Sequence, residues 1–211
     1  MKPEDLILSI VKAYQAARKP YHKHERVRRG RSHSISSITE DLIAEFLATN
    51  DSSIDVIYVD QPIFIEKIKK QLYPDITIVR DGVIESFIDI KMDIGWNRQG
   101  LTDLCKAHYK IIRSIKGSEC RMRDGLTKDL RALKISKSIS YNVVLISRTN
   151  ISPKILHTHE EKKQKLNPDV ELFVLCDTGH PNTYGKTPKE IVKGLSISKE
   201  SFKRLKNKLH K

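Results

Sequence analysis

Pro74-Asp75-Ile76-Thr77-Ile78-Val79-Arg80-Asp81-Gly82-Val83-Ile84-Glu85-Ser86-Phe87-Ile88-Asp89-Ile90-Lys91 decides the reading of this chain. Two β-branched runs flank Asp81-Gly82, a dipeptide suited to the positive φ angles of a tight hairpin turn. The spacing predicts a strand over 75–79 and a second over 83–91. Side chains alternate across a strand, so Asp89 and Lys91 share one face while Ile88, Ile90 and Met92 share the other. The second set can supply a core and the first a site. Whether Asp75 comes close to Asp89 depends on bends that local pattern does not encode.

Outward from the hairpin, apolar periodicity predicts helices and strands in alternation. Leu6, Ile7, Ile10, Val11 and Tyr14 mark an amphipathic helix over 4–18. A second helix is expected from Ser36 or Ser37, with Ser37 and Glu40 closing a capping box. Its expected apolar stripe is Ile38, Leu42 and Phe46, with Ile43 beside it. A strand over 54–59 and a short helix over 62–72 precede the hairpin. A helix over 99–115 follows it, with Leu101, Leu104, Cys105, His108, Ile111, Ile112 and Ile115 inward. Residues 117–137 read as a polar insertion or a loop. Strands are expected at 141–148 and 170–176, a weak helix at 154–166, and a basic helix from Ser198 with Phe202, Leu205 and Leu209 on one face. The sum is an α/β fold with a central mixed β-sheet flanked by helices. Three segments are expected: 1–35, a helix and a basic arm; 36–180, the core; and 181–211, a basic extension with a helix.

Composition narrows the partners. Lys and Arg number 39 against 26 Asp and Glu, a net charge of +13 over 211 residues. Such an excess favours polyanions, nucleic acid first, through release of condensed counterions. A ribosome-associated protein or an unspecialised basic domain would share it. Apolar runs fall far short of a bilayer span, so no membrane role is expected, and a cytoplasmic location is. The three cysteines, Cys105, Cys120 and Cys176, lack any zinc-site spacing and read as free thiols.

Asp75, Asp89 and Lys91 have a joint chemical use. Two close carboxylates repel one another and are relieved by a divalent cation. Hard oxygen ligands select Mg2+, with Mn2+ as a substitute. An adjacent ammonium orients a water and offsets negative charge developing on a phosphodiester. The bland reading of the same residues is a surface hairpin with an Asp89–Lys91 ion pair. The compact turn, the strand character of both halves, the preceding acid-bearing helix and the net charge count against it.

Pro74-Asp75 with Asp89-Ile90-Lys91 resembles the signature of the PD-(D/E)XK nuclease superfamily, to which many restriction endonucleases belong. The resemblance implies a restriction endonuclease-like core over 36–180. Asp75 and Asp89 would bind Mg2+, Ile90 would lend its carbonyl, and Lys91 would assist the attacking water. A helix acid often joins them. Geometry leaves Glu40 and Glu45 open, and the resemblance favours Glu40. The function implied is a Mg2+-dependent endodeoxyribonuclease giving 5′-phosphate ends, in restriction, phage defence or mobile-element biology. Alternatives are an exonuclease, a repair or junction nuclease, and a basic DNA-binding protein that does not cut. Lys23, Arg26, Arg28, Arg29 and Arg31 on the arm, and Lys203, Arg204 and Lys206 on the final helix, are the expected phosphate contacts. A homodimer is expected, with the 4–18 helix able to form its interface.

Other residues weigh less. Asp93 continues the face of Asp89 and Lys91, and Gln99 could touch a phosphate. His108 reads as a satisfied core histidine. His157 and His159 read as exposed. Asp177-Thr178-Gly179 reads as a strand end and turn.

Overall fold

A computed structural model describes residues 1–21, 24–28, 30–94, 100–164 and 169–209. Lys23, Arg29 and Gln99 lie outside the described residues. The chain opens with α1 (Pro3–Ala17) and α2 (Ser36–Asn50), then β1 (Val56–Val59), β2 (Ile63–Ile65), β3 (Lys70–Leu72), β4 (Ile76–Arg80) and β5 (Val83–Lys91). It continues through α3 (Gly100–Ile115), β6 (Glu119–Arg123), β7 (Leu130–Ser147), α4 (Pro153–Gln164) and β8 (Val170–Thr178). The chain ends with α5 (Pro188–Lys193), β9 (Ser196–Ile197) and α6 (Lys199–Leu209).

Among the described residues the strands form one nine-stranded sheet in the order β1-β4-β5-β7-β6-β2-β3, with β8 beside β7 and β9 beside β8. β5, β7 and β8 run parallel and the other pairs antiparallel, so the sheet is mixed, as expected. The long β7 pairs with β6 through its first residues and with β8 from Tyr141 onward. Strand alternation divides its apolar residues between two cores. Val144 and Ile146 join Ile76, Ile78, Ile88, Ile90, Phe173 and Leu175 under α1, α2, α5 and α6. Val143 and Leu145 join Val79, Phe87, Leu172 and Val174 under α3, with Ile155 and Leu156 of α4 packed alongside. Among the described residues, no helix is long and apolar enough to cross a membrane.

Several expectations are corrected. The stretch 62–72 is a hairpin, not a helix: Ile63 and Ile65 alternate inward and β2 pairs with β6. Short apolar runs suit either period, and here the sheet pairing decides. Residues 119–134 form the β6–β7 hairpin, with Cys120 and Met122 buried and Asp124 capping its turn. The first helix buries Leu6, Ile7, Ile10, Val11 and Tyr14 in the chain's own core, so that face is not available as a dimer surface. In α2 the stripe is rotated: Thr39, Ile43, Ala44, Phe46 and Leu47 are buried, while Ile38 is 47% exposed. The expected capping box is also not formed. The helix starts at Ser36 after Ile35 without a side-chain cap. Its first turn is held instead by the Thr39 hydroxyl, which donates to the Ile35 carbonyl at 2.9 Å.

Candidate active site

The turn at Asp81 and Gly82 has φ of 48° and 69°, the pair of positive angles that joins twisted strands most directly. From that turn a regular ladder would set Asp75 opposite Ile88 and turn the two aspartates to opposite faces. The ladder is not regular. Val79 pairs with Ile84 but Ile78 pairs with Ser86, so Glu85 is an extra residue on β5. This bulge shifts the register by one, Ile76 pairs with Ile88, and Asp75 stands across from Asp89.

Asp75 accepts the Ile90 N–H at 2.6 Å. Asp89 is 7% exposed and accepts Lys91 Nζ at 2.5 Å and His108 Nε2 at 3.0 Å on its two oxygens. Burial first, and contact with the Asp89 carboxyl next, raise the Asp75 pKa to about 7 against the lowering effect of the Ile90 hydrogen bond. Burial works the same way on Asp89, but hydrogen bonds from His108, Lys91 and Asp75 outweigh it and hold that carboxyl low. The two carboxyls are thus coupled, with Asp75 the one that favours its proton and Asp89 the one held ionised.

Glu40, half-buried near the start of α2, also has a raised pKa, through burial and the charges of Asp60 and Asp41, with Lys91 opposing. The rotated stripe of α2 accounts for its position. Glu40 lies at the edge of that stripe, while Glu45 is exposed on the far side. Asp60, which pattern did not single out, is held at this end because its N–H donates to the Asp75 carbonyl at 2.8 Å.

His108 differs from the expected satisfied core histidine. It is buried on α3, stacked on Tyr141 at 3.7 Å and 10°, with Nε2 on Asp89. Its Nδ1 has no hydrogen-bond partner among the described residues. The stack fixes the ring, and the ring in turn fixes Asp89. Burial and the two aspartates raise the Tyr141 pKa, keeping its hydroxyl neutral. The only sequence signal for this role was an imidazole in the inward row of the helix after the hairpin.

Asp93 turns toward His180, whose Nε2 lies 3.3 Å from Asp93 Oδ2. A cleft of about 250 Å³ lies beside the site, lined by Lys91, Asp93, Ile94, Gly100, Leu101 and Leu104. A larger groove of about 790 Å³, around Phe46 and Phe202, is lined by none of Asp75, Asp89, Lys91 and Glu40, though Lys203 and Lys206 of α6 border it. His159 is buried beside Thr102, not exposed, while exposed His157 pairs with Glu161 at 3.3 Å, so the two do not act together. Asp177 sits at the end of β8, 3.9 Å from Arg148.

The basic residues divide. Arg26, Arg28 and Arg31 are exposed on the arm, and Lys203 is exposed on α6. Arg204 pairs with Glu171 of β8 at 3.5 Å and Lys206 reaches Asn50 at the end of α2 at 3.2 Å, so part of the charge of α6 holds the helix to the sheet and to α2. Among the described residues, no group of three or more His, Cys, Asp and Glu side chains is gathered as a ready-made metal cage. The chain matches no protein-family model, no curated protein and no solved structure.

Proposed function

We propose that this chain is a Mg2+-dependent endodeoxyribonuclease with a restriction endonuclease-like core, acting in the cytoplasm on DNA. One observation carries the reading: the carboxyls of Asp75 and Asp89 meet at the end of the sheet, with the Lys91 ammonium on Asp89 and Glu40 nearby. The donor set suits a hard cation. A buried and a half-buried carboxyl in contact, one of them favouring its proton, hold a site where a divalent ion can replace that proton. Asp75, Asp89, the Ile90 carbonyl and, after a side-chain movement, Glu40 would hold it. When bound, the ion supplies charge stabilisation at the phosphate and acidifies a water.

The chain's own groups do the rest. His108 and Lys91 hold the Asp89 carboxylate in one orientation. Lys91, 40% exposed at its side chain, reaches toward solvent, where it can orient an attacking water and offset charge building on the phosphoryl oxygens. Attack on phosphorus with departure of the 3′ oxygen leaves a 5′-phosphate and, after that oxygen takes a proton, a 3′-hydroxyl. Three buried free thiols suit a reducing compartment.

The test is cleavage of supercoiled and tailed linear DNA with Mg2+, comparing wild type with Asp89→Ala and Lys91→Ala. Wild type should cut, and each variant should lose about a hundredfold or more in rate while still binding DNA. If wild type and variants bind alike and none cuts a broad DNA and RNA panel, the chain is a basic DNA-binding protein and the enzyme reading fails.

A further inference from the structure

The C-terminal end of α1 carries aromatic and cationic groups that the proposed chemistry leaves unused. Arg18 lies with its guanidinium carbon 3.8 Å from the centre of the Tyr184 ring. That guanidinium donates to Asn182 Oδ1 at 2.7 and 3.1 Å and to the Thr183 carbonyl at 2.8 Å, which pins it in place. Close by, the Tyr21 ring stacks on His33 with centroids 3.8 Å apart and planes at 27°. The His33 N–H donates to the Ala17 carbonyl at 2.9 Å, tying this stack to the helix end. Both tyrosines stay open to solvent, Tyr21 at 80% and Tyr184 at 64%.

A single exposed ring needs no explanation. Here two rings are each steadied by a flat polar partner, and exposed Arg26, Arg28 and Arg31 lie on the same arm. The surface is also continuous with the site. Asp93, two residues beyond Lys91, meets His180 at 3.3 Å, and His180 Nδ1 accepts the Asn182 N–H at 2.8 Å. Asn182 in turn holds Arg18.

A flat exposed ring set among cations matches a flat base on an anionic backbone. Inside a DNA duplex both faces of every base are covered by neighbours, and only the end pairs leave one face open. Away from such an end, a tyrosine can therefore stack only on a base that is unpaired. We infer that this surface binds unpaired nucleotides of a DNA strand, Tyr21 and Tyr184 stacking on bases while Arg26, Arg28 and Arg31 meet phosphates. The choice of DNA rests on the nuclease reading, whose substrate it narrows to duplex bearing a single-stranded tail, flap or bubble next to the cut.

The test is fluorescence anisotropy of the full chain in EDTA, so that nothing is cut. The probes are a short blunt duplex and the same duplex with a single-stranded thymidine tail. The tailed probe should bind roughly tenfold tighter. Tyr21→Ala and Tyr184→Ala should each weaken it by about tenfold, with the blunt duplex unaffected, and Tyr→Phe at each position should restore it. Equal binding of the two probes overturns the inference, as does an equal loss on both. A chain that prefers the tail but cuts nothing with Mg2+ sinks the nuclease reading and leaves this surface standing. A chain that cuts without preferring the tail sinks this inference alone.

Discussion

Asp75 ties the site to the stability of the molecule. Unfolded, its carboxyl titrates at about 4; folded, burial first and Asp89 next push it up to about 7. Folding therefore takes up a proton between those values. By linkage, stability falls as pH rises through that window and levels off above it. Asp89, held low, acts in the opposite sense and only as pH falls below its unfolded value. The cost at Asp75 is on the order of 1–2 kcal/mol once the solvent reaching a half-buried group is discounted. Asp75→Asn keeps an acceptor for the Ile90 N–H and has no charge to desolvate. Without divalent cation, thermal melts should show the variant more stable than wild type at pH 8, and by less at pH 5. A variant no more stable than wild type at pH 8 would remove the account of Asp75 as a carboxyl raised by burial and by Asp89.

Glu85 shows what an element adds to its residues. The Asp81-Gly82 turn was legible because few dipeptides accept two positive φ angles, and the shared face of Asp89 and Lys91 followed from strand alternation. The bulge was not legible, since nothing in Val83-Ile84-Glu85-Ser86 distinguishes an extra residue from a paired one, yet it sets the register that brings Asp75 to Asp89. The rotation of α2, which places Glu40 rather than Glu45 at the site, was hidden for a similar reason. Ile38 and Thr39 compete for the core, and packing against α1 and β1 chooses. Glu85 itself makes no contact that the site needs, so Glu85→Ala should change stability by no more than about 0.5 kcal/mol. Deleting Glu85 forces either Val83-Ile84 or the run from Ser86 to Lys91 onto the wrong face. Urea unfolding should show a loss of several kcal/mol for the deletion, at least on the order of 3, beside a near-neutral alanine. Similar curves for the two would mean that the bulge does not set the register.

At the scale of the molecule, the terminal segments are not appendages to the core. α1 and α6 close the same apolar layer as α2, with Phe202 edge-on to Phe46 at 5.3 Å. The α/β class was legible because the periodic helices and β-branched runs were long. The two hairpins at 62–72 and 119–134 were not, because short runs take their form from the strands they meet. β7 lies at the junction of everything described. Its residues Val143, Val144, Leu145 and Ile146 are fully buried and flanked by β5 and β8, and they alternate between the two cores. No partial opening can bare their amides without parting both layers at once, so hydrogen exchange there reports the unfolding of the whole chain. Amides in the β2–β3 hairpin at the sheet's edge should exchange through smaller openings. In deuterium-exchange measurements over a denaturant series, the 143–146 amides should follow the global transition. Faster, denaturant-insensitive exchange at those four positions would show that the halves of the molecule open independently. The strand that carries no candidate catalytic residue is thus the clock by which the lifetime of the whole site can be read.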